Sequence, residues 1–345
     1  MRDFDPNAAA SPDSGIFCLP HTPDEAAVVL VPVPWEVTTS YRTGTAQGPA
    51  AILAASRQID LFDVETGRPW TRGIAMLDES ADVRAWNAEG RALAEPVIEL
   101  GGRVDGDAGL EAARARVNEL GEHLNAWVRA ETSRWLDAGK LVGIVGGDHS
   151  VPFGAIQAIA ARHPGLGILH VDAHADLRDA YEGFTWSHAS IMYNVVERIP
   201  DVARIVQVGI RDLCEAEAEM IQRSERRVVT HFDAELASRR FGGEGWATQC
   251  ERVLEALPEK VYISFDIDGL DPASCPHTGT PVPGGLQFLE AQFLIGQVVR
   301  SGRTIVGFDL NEVAPGAPGD EWDANVGMRV LYKMIGWALR SQGQI

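Results

Sequence analysis

The chain has 345 residues, of which 45% are hydrophobic and 23% are charged. This composition excludes an intrinsically disordered protein, and the length suits one large α/β domain. The formal net charge of −19 disfavours binding to nucleic acid and is better suited to a cationic small molecule. The four cysteines form no Cys-x-x-Cys pair, which argues against a disulfide framework and against a zinc–thiolate site.

The N-terminal residues 1–25 are rich in Pro, Asp, Ser and Ala and show no sustained periodicity. We therefore expect an arm that lies over the surface or on a neighbouring subunit, followed by a single catalytic domain over residues 26–345. No stretch has the length and apolarity of a membrane span or of a signal peptide. The sequence predicts a soluble, cytoplasmic protein that has no membrane partner.

From residue 28 onward, short apolar runs alternate with longer amphipathic stretches. The runs predict buried strands at 28–33, 141–145, 166–171, 204–209, 227–232, 260–266 and 304–310. The stretches predict helices at about 111–138, 151–163, 188–199, 214–223, 246–257, 288–301 and 326–341. Residues 64–110 read as an irregular insertion. The alternation indicates an α/β fold of three layers, α/β/α, with helices on both faces of a mainly parallel, doubly wound sheet.

Ligands of such sheets bind beyond the carboxyl ends of the strands, and three of these ends carry unusual residues. The run at 141–145 is followed by Gly-Gly-Asp-His-Ser, in which two glycines allow a sharp turn that presents the imidazole. The run at 166–171 is followed by two carboxylates and an imidazole at alternate positions, and the run at 260–266 ends in carboxylates at alternate positions. Side chains at alternate positions point the same way on an extended segment. The candidate ligands are His149, Asp172, His174, Asp176, Asp266 and Asp268. His170 lies within the strand predicted at 166–171 and is assigned to the core.

Each of these motifs, taken alone, is more often a turn or a cap than a metal site. Together they would place two imidazoles and four carboxylates in one pocket, which is unfavourable unless cations neutralise the carboxylates. Two divalent metal ions would resolve the repulsion and activate a water molecule. Oxygen-rich ligation with some imidazole favours Mn, Fe, Co or Ni over a structural zinc.

The three motifs resemble the signatures of the ureohydrolase family of arginases and agmatinases, and the similarity extends from about Val31 to the final helix. The resemblance implies an arginase-like fold and two metal ions that share Asp172 and Asp266. By that resemblance His149 and Asp176 complete one site, and His174 and Asp268 complete the other. Mn²⁺ is the family expectation, with Ni²⁺ as an alternative. The family also implies a trimer or hexamer, with a related second subunit as an alternative.

Two further residues lie in segments that resemble the family. His188, in Ser-His-Ala-Ser, is similar to the agmatinase histidine that acts as an acid or a proton shuttle. Glu312 resembles the glutamate that pairs with the substrate guanidinium. A helix-start histidine and an internal salt bridge are the structural alternatives. Asp268 or Asp176 would relay a proton.

The segment after Asp176 lacks the arginase-type Ser-Gly-Asn and is more similar to agmatinases, so an agmatine-like guanidino compound is the first choice of substrate. His277 replaces a glycine that is usual in agmatinases. With nearby aromatic residues it would narrow the pocket for guanidine, an alkylguanidine, a biguanide or a guanidino acid. These aromatic residues are Tyr181, Phe184 and Trp186. Arg178 fits either a carboxylate anchor or an ion pair.

Two alternatives belong to other functional classes. A non-catalytic scaffold subunit would keep the fold and bind metal without turnover. A deacetylase with a single zinc ion would share the Asp-x-His ligation, but the Asp266 and Asp268 pair favours two metal ions.

Overall fold

The computed structural model describes residues 4–7 and 14–345. In this part of the chain, eight strands form one sheet in the order β2-β1-β3-β8-β7-β4-β5-β6, and all neighbouring strands are parallel. The strands are β1 (Val28–Val33), β2 (Ile74–Met76), β3 (Leu141–Gly146), β4 (Leu166–Val171), β5 (Val202–Ile210), β6 (Val228–Phe232), β7 (Lys260–Asp266) and β8 (Thr304–Asn311). The sheet confirms the predicted parallel α/β architecture.

Ten α-helices cover the two faces of the described sheet. They are α1 (Gly48–Ala55), α2 (Ala81–Glu99), α3 (Ala108–Asp137), α4 (Phe153–Ala160), α5 (Ile191–Arg198), α6 (Glu215–Arg223), α7 (Asp233–Phe241), α8 (Trp246–Glu255), α9 (Phe288–Arg300) and α10 (Trp322–Ser341). Helices α1 and α7 to α10 pack in one core layer, and α2 to α6 pack in the layer on the opposite face. Alternate residues of the strands belong to the two layers, because side chains alternate across a sheet.

The sequence prediction fails mainly before residue 110. Residues 64–110 are not an irregular insertion, because they contain β2 and the 19-residue helix α2. Gly90 and Pro96 interrupt the helical pattern of α2, although Ser80 caps its first turn by accepting a hydrogen bond from the backbone. The Cβ of any larger residue at Gly90 would lie 2.9 Å from Val37. Close packing against this valine therefore explains the glycine that obscured the helix.

Part of the predicted arm packs against the domain. Ile16, Phe17 and Leu19 are buried in the same core layer as α10, and the Phe17 ring contacts the Tyr332 ring at 4.8 Å between centroids. Residues 1–3 and 8–13 of the predicted arm lie outside the described residues. Contact of the arm with a neighbouring subunit stays a prediction. None of the described helices combines the length and the apolarity needed to traverse a lipid bilayer.

Candidate metal centre

Four strands at the centre of the sheet, β3, β8, β7 and β4, bring the sequence motifs to one edge. The turn after β3 is fixed by backbone hydrogen bonds from Gly147 to Val33 (2.9 Å) and from Asp148 to Trp35 (2.8 Å). A Cβ at Gly147 would lie 1.8 Å from the carbonyl oxygen of Trp35. The motif therefore needs glycine at this position, and the close approach directs His149 over the carboxyl edge of the sheet.

The segment after β4 is held by its own side chains. The backbone N–H of His174 donates a hydrogen bond of 2.6 Å to Asp172. Asp176 has a φ of 56°, a left-handed conformation that is unfavourable for a residue with a Cβ. Its carbonyl oxygen accepts hydrogen bonds from the backbones of Met192 and Tyr193, both 3.0 Å long. These bonds to the start of α5 stabilise the strained turn and fix the direction of its carboxylate.

The segment after β7 is linked to the segment after β4. The carboxylate of Asp266 accepts a hydrogen bond of 2.8 Å from the backbone of Asp268. The carboxylate of Asp268 in turn accepts one of 3.1 Å from the backbone of Ala173. The two carboxylate-bearing loops are therefore positioned relative to each other by direct contacts.

The six candidate ligands lie together in two groups that share Asp172. Nδ1 of His149 is 2.9 Å from Oδ2 of Asp172, 3.2 Å from Oδ2 of Asp266 and 3.3 Å from Oδ2 of Asp176. Nδ1 of His174 is 3.1 Å from Oδ2 of Asp268 and 3.5 Å from Oδ1 of Asp172. The two oxygens of Asp172 thus face different histidines, as expected of a carboxylate that lies between two cations.

The carboxylates of this cluster favour positive charge beside them. Burial would lower the pKa of His174, but Asp268 and Asp172 outweigh it and raise that pKa to about 12. The neighbouring carboxylates also raise the pKa of His149 well above its usual range, against the effect of burial. Burial, together with nearby carboxylates, raises the pKa values of Asp176 and Asp266. Without cations, protons therefore compensate the negative charge of the cluster.

The donor set fits divalent cations. The six side chains offer carboxylate oxygens and imidazole nitrogens, which suit divalent transition-metal ions. Oδ2 of Asp176 is buried and has no hydrogen-bond partner among the described residues, so it is left for a cation. The division of the ligands between two ions stays a prediction, because contacts between side chains do not establish coordination.

A cavity opens onto this cluster, and Glu312 and His188 are among its lining residues. Four candidate ligands also line it: His149, His174, Asp176 and Asp266. Besides Tyr181, five other residues with polar side chains contribute to its wall: Ser40, Arg178, Asp212, Glu217 and Thr280. The sequence analysis identified Arg178 among these five and missed the other four, since they lie outside the ligand motifs.

Glu312 is fixed at the end of β8. Its carboxylate accepts a hydrogen bond of 2.9 Å from the backbone of His149, and its own backbone donates to Gly147 at 2.8 Å. Its φ of 62° is left-handed, as for Asp176. Burial raises the pKa of Glu312 well above its usual range, and the charge of Asp148 raises that pKa further. A cation beside this carboxylate would therefore be strongly favoured.

His188 begins the short 3₁₀ helix His188–Ser190, whose first turn is capped by Ser187. Nδ1 of His188 lies 3.4 Å from the hydroxyl oxygen of Thr38. Burial and the neighbouring His174 lower the pKa of His188 to about 4. The ring is therefore neutral at pH 7, which suits transient proton transfer better than a resident acid.

The predicted substrate pocket requires correction. Tyr181 lines the cavity, but Trp186 and His277 are not among its described lining residues. Trp186 instead packs against Phe153, with ring centroids 4.9 Å apart, on the α4 side of the sheet. His277 is turned away because its backbone N–H and its Nδ1 contact the two carboxylate oxygens of Asp323 in α10, at 2.8 and 3.0 Å.

Phe184 is also absent from the described cavity lining, because it is buried in the core with residues of α2 and α3. The aromatic narrowing expected from the sequence therefore reduces to Tyr181. Sequence spacing could not show this, since the loop from Asp176 to His188 turns repeatedly and has no regular period.

Three residues that contact the ligands were not identified as part of the site. His170, assigned to the core, places Nε2 2.8 Å from Oδ2 of Asp172. Nε2 of His149 is 2.9 Å from the Ser264 hydroxyl oxygen, and that hydroxyl donates a hydrogen bond of 3.1 Å to Asp309. Both His170 and Ser264 precede a ligand by two residues on a strand. The alternation that revealed the ligands could therefore have revealed these residues.

Imidazoles and carboxylates clustered at the carboxyl edge of a parallel sheet are the arrangement expected of a metal-binding α/β enzyme. The model of the arginase family matches residues 26–336. N(1)-aminopropylagmatine ureohydrolase of Thermus thermophilus is 34% identical over 293 residues, which cover 85% of this chain and 84% of that protein. Guanidinobutyrase of Pseudomonas aeruginosa is 30% identical over 331 residues, which cover 92% and 89%.

The fold agrees with this family. The crystal structure of agmatine ureohydrolase of Thermoplasma volcanium matches with a TM-score of 0.72 at 23% identity, and the match covers 96% of each chain. The chain therefore belongs to the arginase, or ureohydrolase, family, as the motif resemblance implied.

Proposed function

We propose that the protein hydrolyses the guanidino group of an agmatine-like compound to urea and an amine, with two divalent cations. The observation that carries this proposal is the geometry around Asp172, whose two oxygens face two separate histidines beside a cavity lined by Glu312 and His188. The names of the relatives support a guanidino substrate, since they include an aminopropylagmatine ureohydrolase and a guanidinobutyrase.

In this proposal Asp172 and Asp266 would help to hold both cations. His149 and Asp176 complete one site, and His174 and Asp268 complete the other. When bound, two such cations supply Lewis-acid polarisation and lower the pKa of the hydrolytic water. Mn²⁺ is the first choice, and Ni²⁺ is the alternative because imidazole suits it among oxygen ligands.

The chain itself binds the substrate and moves protons. The carboxylate of Glu312 accepts hydrogen bonds from the N–H groups of the planar guanidinium. These bonds hold the guanidinium carbon toward the cation site. Asp176 or Asp268 takes a proton from the attacking water. His188, neutral at pH 7, receives a proton and passes it to the departing amine, with Thr38 at 3.4 Å orienting its ring.

Asp212 supports a substrate with a cationic tail. Its carboxylate lines the cavity and is exposed, without an ion pair or hydrogen bond to another described residue. Its backbone donates a hydrogen bond of 3.0 Å to Ala173 and pairs with the segment of His174. The backbone of Asp212 is therefore held beside the segment that carries His174, and its carboxylate is available at the cavity wall for a cationic group.

A guanidino acid is the second candidate, and Arg178 is the observation that favours it. Its guanidinium lies 4.9 Å from the Tyr181 ring centroid and forms an ion pair with Glu217, in which Nε and Oε2 are 3.7 Å apart, too far for a hydrogen bond. The guanidinium makes no hydrogen bond with any described residue and lines the cavity. Such donors would suit a terminal carboxylate.

We also propose a cytoplasmic homo-oligomer, with a trimer or hexamer as the expected state. This expectation rests on the ureohydrolase family to which the chain belongs. Static light scattering of the purified protein measures the stoichiometry directly. A monomer at micromolar concentration would contradict this part of the proposal.

The first experiment measures urea release by protein loaded with Mn²⁺ or with Ni²⁺. Agmatine, arginine, guanidinobutyrate, guanidine, alkylguanidines and biguanides are offered separately. We expect turnover of agmatine, abolished by Asp268→Ala, because this carboxylate is a proposed ligand. Asp271→Asn is the matched control, since Asp271 caps the next turn through Ala273. Two bound metal ions without urea from any compound would reject the enzyme proposal and favour a scaffold subunit.

The substrate tail is tested with two variants. Asp212→Asn should raise KM for agmatine and leave KM for butylguanidine, which has no charged tail, unchanged. Preferential turnover of guanidinobutyrate, lost in Arg178→Met, would instead favour the guanidino acid.

A further inference from the structure

His170 is a buried imidazole of strand β4 that contacts the proposed shared ligand. Its Nε2 lies 2.8 Å from Oδ2 of Asp172, on the oxygen that also faces His149. By distance alone, His170 is therefore a candidate third imidazole ligand. Its other nitrogen decides between a ligand and a hydrogen-bond donor, because a neutral imidazole carries one N–H and one lone pair.

The other nitrogen of His170 faces Gln207 of strand β5, and the orientation of that amide is fixed. Nε2 of Gln207 is 2.7 Å from the carbonyl oxygen of Ala175, which can only accept a hydrogen bond. The hydroxyl of Thr230 in β6 donates a hydrogen bond of 2.7 Å to Oε1 of the same amide. The atom of Gln207 that lies 3.1 Å from Nδ1 of His170 is therefore an N–H donor.

This arrangement fixes the tautomer of His170. Because Gln207 donates to Nδ1, that nitrogen is the acceptor and the proton resides on Nε2. Nε2–H then donates to Asp172. A nitrogen that carries a proton has no lone pair for a metal ion, so His170 cannot coordinate in this state.

His149 shows the opposite arrangement. Its Nε2 is 2.9 Å from the hydroxyl oxygen of Ser264, and that hydroxyl donates to Asp309. The hydroxyl oxygen is thus an acceptor for Nε2–H, so Nδ1, which faces the carboxylates, is the nitrogen of His149 that can coordinate a cation once it has lost its proton. The two histidines beside Asp172 are thereby distinguished by their buried neighbours.

From these contacts we infer that His170 is a positioning residue, which holds the shared carboxylate of Asp172 through an Nε2–H donor that Gln207 and Thr230 orient across three strands. The inference rests on the proposed two-metal site but not on the identity of the substrate. Hydrogen bonds of this kind fix the direction of a ligating carboxylate and are worth about 10–100-fold in metal affinity.

Two substitutions at His170 separate a donor from a ligand. His170→Gln keeps an N–H near the position of Nε2, whereas His170→Leu removes it at similar volume. We expect His170→Leu to weaken Mn²⁺ binding by about 10–100-fold and His170→Gln to retain affinity within about threefold, as measured by calorimetry on the full chain. His231→Gln is the matched control, because this strand histidine of β6 contacts none of the proposed ligands.

Equal losses for the two variants at His170 would identify a ligand and overturn the inference. Unchanged affinity in His170→Leu would indicate a packing role and overturn it as well. The thermal unfolding of each metal-free variant shows whether a loss arises from misfolding. If His170→Leu does not fold, Thr230→Val removes only the distal hydroxyl and should weaken binding by a smaller factor. Unchanged binding in that variant would then count against the inference.

Selective ¹⁵N labelling of histidine provides a readout that does not depend on activity. We expect the wild-type His170 spectrum to show an Nε2–H tautomer, which Gln207→Leu converts to a mixture. An Nδ1–H tautomer in the wild type would overturn the inference. Protein that binds two Mn²⁺ ions with this tautomer but releases no urea would reject the proposed function alone. Wild-type protein that binds no Mn²⁺ would reject both.

Discussion

The side chains around Asp172 are arranged so that a proton or a cation must accompany their negative charge. The pKa values of His149 and His174 are raised by the carboxylates that face them, and those of Asp176 and Asp266 are raised mainly by burial. At pH 7 the metal-free cluster therefore holds protons on groups that must lose them to act as ligands.

Metal binding should consequently release protons, and affinity should increase with pH. The sign follows from the raised pKa values, because deprotonation of these groups becomes easier as the pH rises. Calorimetric titration with Mn²⁺ in PIPES and in Tris, which differ in ionisation enthalpy, measures the number of protons released. A binding enthalpy that is the same in both buffers would contradict the prediction.

The lowered pKa of His188 gives a second prediction for single residues. With a pKa of about 4, its ring is neutral from pH 5 upward, so the pH–rate profile should show no limb near an ordinary histidine pKa of about 6.5. His188→Asn should lower kcat by about 10²–10⁴-fold while the bound metal stays unchanged. His123→Asn is the control, since that ring packs near Trp86 on α2. An unchanged kcat would remove His188 from the mechanism.

Among the elements, the turn from β3 to α4 determines where His149 lies. Gly147→Ala would force a Cβ against the backbone carbonyl of Trp35, which cannot move without disturbing the end of β1. We expect a loss of roughly 1–3 kcal/mol in the free energy of unfolding and weaker metal binding. Gly245→Ala is the matched control, because Gly245 has open space and an ordinary φ of −68°. Thermal unfolding of metal-free protein measures both, and equal stabilities would show that the close approach relaxes.

The sequence predicted elements well where hydrophobic period and length agreed. Seven strands were identified, and the three-residue β2 was missed because so short a run has no period. The sequence analysis predicted neither α1 nor α7. Helix α1 begins with Gly48-Pro49, a dipeptide that usually marks a turn, and helix α7 buries only one side chain, that of Leu236. These elements form because tertiary contacts stabilise them, which a local pattern does not show.

Residues of the site could likewise be predicted where a local sequence pattern constrains them, but not where contacts between distant residues do. Ligand motifs at strand ends could be located because alternation and glycine turns constrain the backbone there. The direction of the His277 side chain could not be predicted, since it depends on Asp323, a carboxylate 46 residues away in α10. The tautomer of His170 likewise depends on residues of β5 and β6, which meet only in the folded sheet.

For the molecule as a whole, the net charge of −19 should accelerate the approach of cationic substrates. Agmatine carries two positive charges at pH 7, so its kcat/KM should fall as NaCl is raised from about 10 to 200 mM, because salt screens this attraction. Guanidinobutyrate, which is a zwitterion, is the control. Equal salt dependence for the two compounds, at constant metal occupancy, would show that long-range attraction does not contribute.

The position of β8 has a consequence for the synthesis of the protein. This last strand of the chain lies between β3 and β7, and it joins β2-β1-β3 to β7-β4-β5-β6. Until residues 304–311 leave the ribosome, these two groups of strands have no common neighbour, and each presents an unpaired inner edge. Glu312 follows directly after this strand. A nascent chain therefore exposes two strand edges until the sequence that completes the sheet also delivers the carboxylate of its cavity.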